Sequence, residues 1–195
     1  MLVNVQRQGS LETSRMDGSM DNRLCFENLQ VGQSWISPSR TITETDVVNF
    51  ANSTGDHNPL HTDYEYAKRT HFRQPIAHGL LGLSWVAGLG SNHPSVNTVA
   101  FTTIRNWEFT RPLFFGDTVF VRTEVREKQD NVKRAGKVLW RLELINQRDE
   151  VAQHGEFETL VRVRNPVRRP HFGPGANTAP SSPGKISTGR PPYDA

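Results

Sequence analysis

The sequence predicts an α+β domain in which one antiparallel sheet curls around a single buried helix. Three observations carry that class. Beyond Pro94, three segments alternate apolar and polar residues with period two, as half-buried strands do. Before Pro94, the run "HGLLGLSWVAGLG" is apolar almost all round a helical wheel, as a covered helix is. Short polar turn segments join the strands, which makes successive strands antiparallel neighbours.

Taken in chain order, "VGQSWISPSR" supplies an edge strand. Thr43 and Asp46 form a capping-box pair at the start of the first helix, and Ile42 staples onto Val47. Val47, Phe50 and Ala51 give that helix one apolar face, and Gly55 ends it with a positive φ. "DYEYAKRT" is a short second helix. The central helix opens at Gly79, and Leu80, Leu81, Leu83, Trp85, Val86, Ala87 and Leu89 make it apolar on all sides. Gly82 and Gly88 weaken it in isolation and let another backbone come close. "NTVAFTTIRNWEF" follows as a long strand. Val119, Val121 and Val125 then alternate with Phe120, Arg122, Glu124 and Arg126. Val138, Trp140, Leu142 and Leu144 alternate with Leu139, Arg141 and Glu143. Phe157, Thr159, Val161 and Val163 alternate with Glu156, Glu158, Arg162 and Arg164. "RPLFFGDT", "KQDNVKRAG" and "NQRDEVAQ" carry the turn chemistry between these strands.

Residues 1–22 are polar and are expected to be disordered, and the Pro/Gly/Ser-rich tail 166–195 holds nothing that builds a core. The folded domain is therefore expected over 23–165. A formal charge of +3 points to no polyanionic partner. The arginines of "RVRNPVRRP" come without a recognition helix, zinc finger or aromatic platform, so they read as a solvated tail and not as a nucleic-acid site. Cys25 is the single cysteine, which excludes an intrachain disulfide. No apolar run has the length of a signal peptide or a bilayer span, so a soluble, cytoplasmic protein is expected.

The chemistry concentrates in "STGDHNPLHTDYEYA". Asp56 and His61 are two proton carriers on a loop stiffened by Pro59, with Asn58 as a turn former. On spacing alone they are turn residues or an acid–base pair. In "FRQPIAHGLL", Gly79 lies at the first turn of the central helix. Backbone N–H groups there lack internal partners, and a glycine lets a ligand oxygen approach them. A metal cluster of Asp56, His57, His61 and Asp63 finds no further His or Cys among its sequence neighbours, so no metal and no cofactor are expected.

The run "F-A-N-S-T-G-D-H-N-P-L-H", with Ala67 after it, resembles the signature of the MaoC-like (R)-specific enoyl-CoA hydratases, which have the hot-dog fold. "PIAHGLL" and "WEFTRPLFFGDT" match that family in order and character, and the resemblance runs from Phe26 to Val163. It implies that Asp56 and His61 are catalytic, that Gly79 supplies the oxyanion N–H and that Asn58 holds the loop. His78 is placed beside the site. Ser53 departs from the family pattern. The family's central-helix serine aligns with Ala87, which leaves Ser84, three residues earlier, as the substitute candidate. The resemblance further implies reversible hydration of a trans-2-enoyl thioester and a homodimer. The thioester is an acyl-CoA or, alternatively, an acyl carrier protein adduct that the basic Lys68, Arg69 and Arg73 would also suit. A hot-dog thioesterase is a further alternative. His57 is expected to face outward.

Overall fold

The computed structural model describes residues 22–130 and 134–164. The expectations for the segment before Asn22, for 131–133 within "KQDNVKRAG", and for the terminal tail fall outside the described residues.

After a 3-10 turn at Phe26–Asn28 come β1 (Ser34–Ile36), β2 (Arg40–Thr41) and α1 (Glu44–Thr54). The α1 start is the predicted capping box: Thr43 Oγ1 accepts from Asp46 N at 3.1 Å, and Asp46 Oδ2 accepts from Thr43 N at 3.0 Å. Gly55 ends α1 with φ 81°, a conformation that favours glycine. Two short helices follow, α2 (Pro59–Thr62) and α3 (Tyr64–Lys68), and then the central helix α4 (Gly79–Gly90). Four twelve-residue strands complete the domain: β3 (Thr98–Phe109), β4 (Thr118–Gln129), β5 (Ala135–Asn146) and β6 (Val151–Arg162).

The sheet runs β1-β4-β5-β6-β3, with β2 also on β4, and all named pairings are antiparallel. It bends over α4 in the hot-dog arrangement. Its inner face contributes Val119, Val121, Val138, Leu142, Leu144 and Phe157 to one core with Val47, Leu81 and Val86. Among the described residues, no helix is long and apolar enough to cross a membrane.

Four expectations need correction. First, β3 and β4 follow each other in sequence but do not pair. "RPLFFGDT" is a crossover that is pinned to three other segments: Arg111 N donates to Ala152 O, Ala77 N to Leu113 O and Gly116 N to Ile42 O. This leaves β3 at the edge, against β6, and lays Leu113 beside the entry to α4. Second, α4 is not covered on every side. Leu81, Gly82, Val86 and Gly90 are buried, whereas Leu80 is 60% exposed and Ser84, Ala87 and Gly88 are exposed with it. One sheet covers one side of a helix, and the open stripe continues onto the exposed Phe101 and Phe109 of β3. Third, the helical glycines do not admit a backbone. The neighbour at Gly82 is the side chain of Gln153, and nothing lies within 4 Å of a Cβ built on Gly88. In addition Glu158, expected to face solvent, is buried beneath Arg105 and Lys137, which pair with it.

Candidate active site

Asp56 leaves the αL turn at Gly55 and immediately orders the next residues, because its Oδ1 accepts from Asn58 N at 3.3 Å. Asn58 then caps α2 by accepting from Leu60 N at 2.9 Å, with Pro59 in the first helical position. The stretch expected as a stiff loop is thus a loop followed by one helical turn, and Asn-Pro is the chemistry that starts the turn. His61 rides on that turn. Asp63 is not brought into the Asp56–His61 cluster; it caps α3 by accepting from Tyr66 N. His57 is exposed, as expected.

His61 Nδ1 lies 2.7 Å from Ile76 O. A carbonyl oxygen only accepts, so Nδ1 carries the hydrogen and the neutral ring keeps a bare Nε2. By the same logic His78 Nε2, 2.9 Å from Asp56 O, donates to it. His78 is 2% exposed and lies under His61, with ring centroids 3.8 Å apart and planes 32° from parallel. Phe50 of α1 closes on its edge at 5.1 Å. One buried ring therefore ties together the Asp56 backbone, the His61 ring and α1. Sequence spacing gave His78 only a place beside the site; its structural signal was the histidine directly before the α4 opening.

Asp56, His61 and His78 each bring one ligand-type atom within 4.8 Å of the others. The expectation that no further histidine stands near the pair is corrected here, since His78 is contributed from a distant segment. Metal holding still suits the geometry poorly. Ring lone pairs lie in the ring planes, and two nearly stacked rings aim them side by side and not at one point. One nitrogen of each ring is also occupied by a carbonyl.

Burial lowers the His61 pKa below its ordinary 6.5, and the neighbouring His78 lowers it further; the Ile76 carbonyl and Asp56 oppose this in part. The bare Nε2 is consequently available as a base at neutral pH. The folded state holds this proton less tightly than the unfolded chain, so His61 withdraws stability as pH falls below 6.5. Any reaction that uses neutral His61 should have an acid limb in kcat/KM with a midpoint below 6.5. A pH–rate series checks this, and a midpoint above 6.5 would show that the base is another group.

Gly79 is the first residue of α4, and its N–H has no intrahelical acceptor. Phe109 packs on it so closely that a Cβ would meet the ring at 3.0 Å. Gly79, Ile76, Ala77, Phe109, Arg111 and Leu113 line a cleft of about 390 Å³. Phe72, from the loop carrying Arg69 and Arg73, lines it as well, and Lys68 is paired to Glu65. Ser84 is not brought into the Asp56–His61–His78 cluster; it stands five residues along α4 from Gly79, exposed, with its hydroxyl donated to Leu81 O. Ala87 lines a separate, mostly apolar cavity of about 380 Å³ with Gly90, Thr123, Trp140, Leu142 and Phe157.

Comparison with known proteins matches residues 27–147 to the MaoC-like domain. The chain is 39% identical over 113 residues to the 3-hydroxybutyryl-CoA dehydratase of Methylorubrum extorquens, covering 57% of this chain and 70% of that protein. It is 37% identical over 106 residues to protein MaoC of Klebsiella aerogenes, covering 54% of this chain and 32% of the relative, so it spans about a third of that protein's length. Among solved structures, the R-hydratase of Pseudomonas aeruginosa aligns with a TM-score of 0.60 and 28% identity, over 83% of this chain and 97% of that one.

Proposed function

The chain belongs to the MaoC-like domain family, and from that premise we propose that it catalyses reversible syn addition of water to a trans-2-enoyl-CoA, giving the (R)-3-hydroxyacyl-CoA. The observation that carries this is the grouping of His61, whose Nε2 is left bare, with the Asp56 carboxylate and with His78 at the N-terminus of α4, one ligand-type atom of each lying within 4.8 Å of the others. The dehydratase and R-hydratase named above support the substrate class.

A water between the two groups donates one hydrogen to His61 Nε2 and the other to Asp56, which turns its lone pair toward C3 of the substrate. Its hydroxyl bonds to C3, while electron density moves through C2 onto the thioester oxygen. The Gly79 N–H and the positive end of α4 stabilise that oxygen. One member of the pair takes the water's proton as the C3–O bond forms, and that same proton, handed on directly or across the pair, is delivered to C2, so both groups end as they began. Both groups lie on one face of the substrate, so addition is syn. His78 touches neither water nor substrate in this scheme; it fixes Asp56 and His61.

Acyl carrier protein adducts would use the same residues. Parallel turnover of crotonyl-CoA and crotonyl-carrier protein separates the two, and a kcat/KM at least ~10-fold higher for the CoA ester is expected. A preference for the carrier-protein ester would overturn the CoA assignment.

The exposed stripe of Leu80, Ala87, Phe101 and Phe109 is proposed to pair with a second copy, since a contiguous apolar patch at an unpaired β3 edge is a dimer surface. Leu80→Glu should shift the protein from dimer to monomer in sedimentation velocity. A wild-type monomer with full hydratase activity would contradict the pairing.

A further inference from the structure

Gln153 lies on the inner face of β6, where its neighbours along the strand are apolar or small, and it is 2% exposed. A buried amide on that face needs an explanation. Its Nε2 donates to Gly79 O at 3.0 Å, while its Oε1 has no partner among the described residues. Packing alone does not account for it. An unbranched apolar side chain would fill the same space without leaving a buried oxygen unsatisfied.

Two further oddities converge on the same peptide. Gly82 sits in the second turn of an otherwise apolar helix, where glycine weakens the helix. A Cβ there would stand 2.2 Å from Gln153 Nε2 and 2.9 Å from its Cδ, so the amide passes beneath α4 only because residue 82 is glycine. Phe109, the register partner of Gln153 on β3, packs its ring against Gly79 as well. Gly79 is therefore held by an amide at its carbonyl and an aromatic ring at its Cα.

The geometry points to Gln153 as a positioning residue that, together with Gly82, fixes the Gly79–Leu80 peptide and, through the Gly79 Cα, steadies the Gly79 N–H toward the thioester oxygen. This rests on the hydratase activity proposed above. A first helical turn otherwise frays, because its N–H groups lack internal partners. Electrostatic stabilisation of a developing oxyanion depends on donors being held in place before the reaction. Gln153 makes no contact with substrate in this role and acts through Gly79.

The test uses Gln153→Met, which keeps length and removes both amide atoms, and Gly82→Ala, which leaves Gln153 in the chain and displaces its amide. Each variant should stay folded by circular dichroism and lower kcat for crotonyl-CoA hydration by about 10-fold or more, with KM changed less than about 3-fold. The double variant should lose no more than the worse single one, because both remove the same contact. Amide hydrogen exchange reads the anchoring without catalysis: the Leu81 and Gly82 amides, which donate to His78 O, should exchange at least ~10-fold faster in Gln153→Met than in wild type. Unchanged kcat and unchanged exchange in a folded Gln153→Met would overturn the role of Gln153 while leaving the hydratase standing. Should Gln153→Met fail to fold, the same readouts on Gly82→Ala decide. Wild-type protein that hydrates no enoyl-CoA removes the function, and the positioning role falls with it.

Discussion

Replacing His61 with asparagine should lower kcat for crotonyl-CoA hydration by at least ~10²-fold. Asparagine is the informative substitution because of how the ring is held. His61 uses Nδ1 to donate to Ile76 O, and an asparagine amide nitrogen stands near that position and donates in the same way. What it lacks is a basic atom where Nε2 was. The turn stays anchored while the base is lost, so a fall in kcat reports chemistry and not unfolding. His61→Ala should fall at least as far, with some loss of stability from the missing bond and the missing stack on His78. Near-normal hydration by His61→Asn would place the base elsewhere.

Asp56→Asn is expected to cost at least ~10²-fold in kcat, with KM within a few-fold. The scaffold again predicts a clean effect. His78 is locked by donating from Nε2 to the Asp56 backbone oxygen and not to its carboxylate, whose Oδ2 is 3.9 Å from His78 Nε2. The contact to Asn58 N is made by Oδ1, which an asparagine retains. Only the capacity to take and return a proton disappears. Combined with His61→Asn, the loss should be little worse than the greater single loss, because the two groups grip one water. Losses that multiply would indicate separate roles, and full activity in Asp56→Asn would remove the carboxylate from the mechanism.

Much of the fold was legible because local chemistry decided it. Thr43, Asp46 and Gly55 bound α1 at both ends, and the alternation of valines with charged residues marked β4. Strand order was not legible. "RPLFFGDT" has the composition of a tight turn, and only its bonds to Ala77, Ile42 and Ala152 reveal a crossover. The open face of α4 was hidden for a related reason: an apolar helix reads the same whether its last side meets its own sheet or another chain. At the site, Asp56, Asn58 and His61 lie within one short stretch, where spacing alone left turn residues and an acid–base pair both open and the family resemblance drew attention to them. His78 and Gln153 act across distances in the chain that periodicity does not see. Gln153 carried a faint sign in retrospect, as an amide whose period-two successors on the strand, Gly155 and Phe157, are small or apolar and buried.

The most direct test incubates wild-type protein with crotonyl-CoA, follows loss of the enoyl absorbance, and resolves the product on a chiral column. The expected result is stoichiometric (R)-3-hydroxybutyryl-CoA, formed by wild type and almost absent with Asp56→Asn. Release of free CoA, formation of the (S) product, or no loss of the enoyl absorbance would contradict the hydratase built on Asp56, His61 and Gly79.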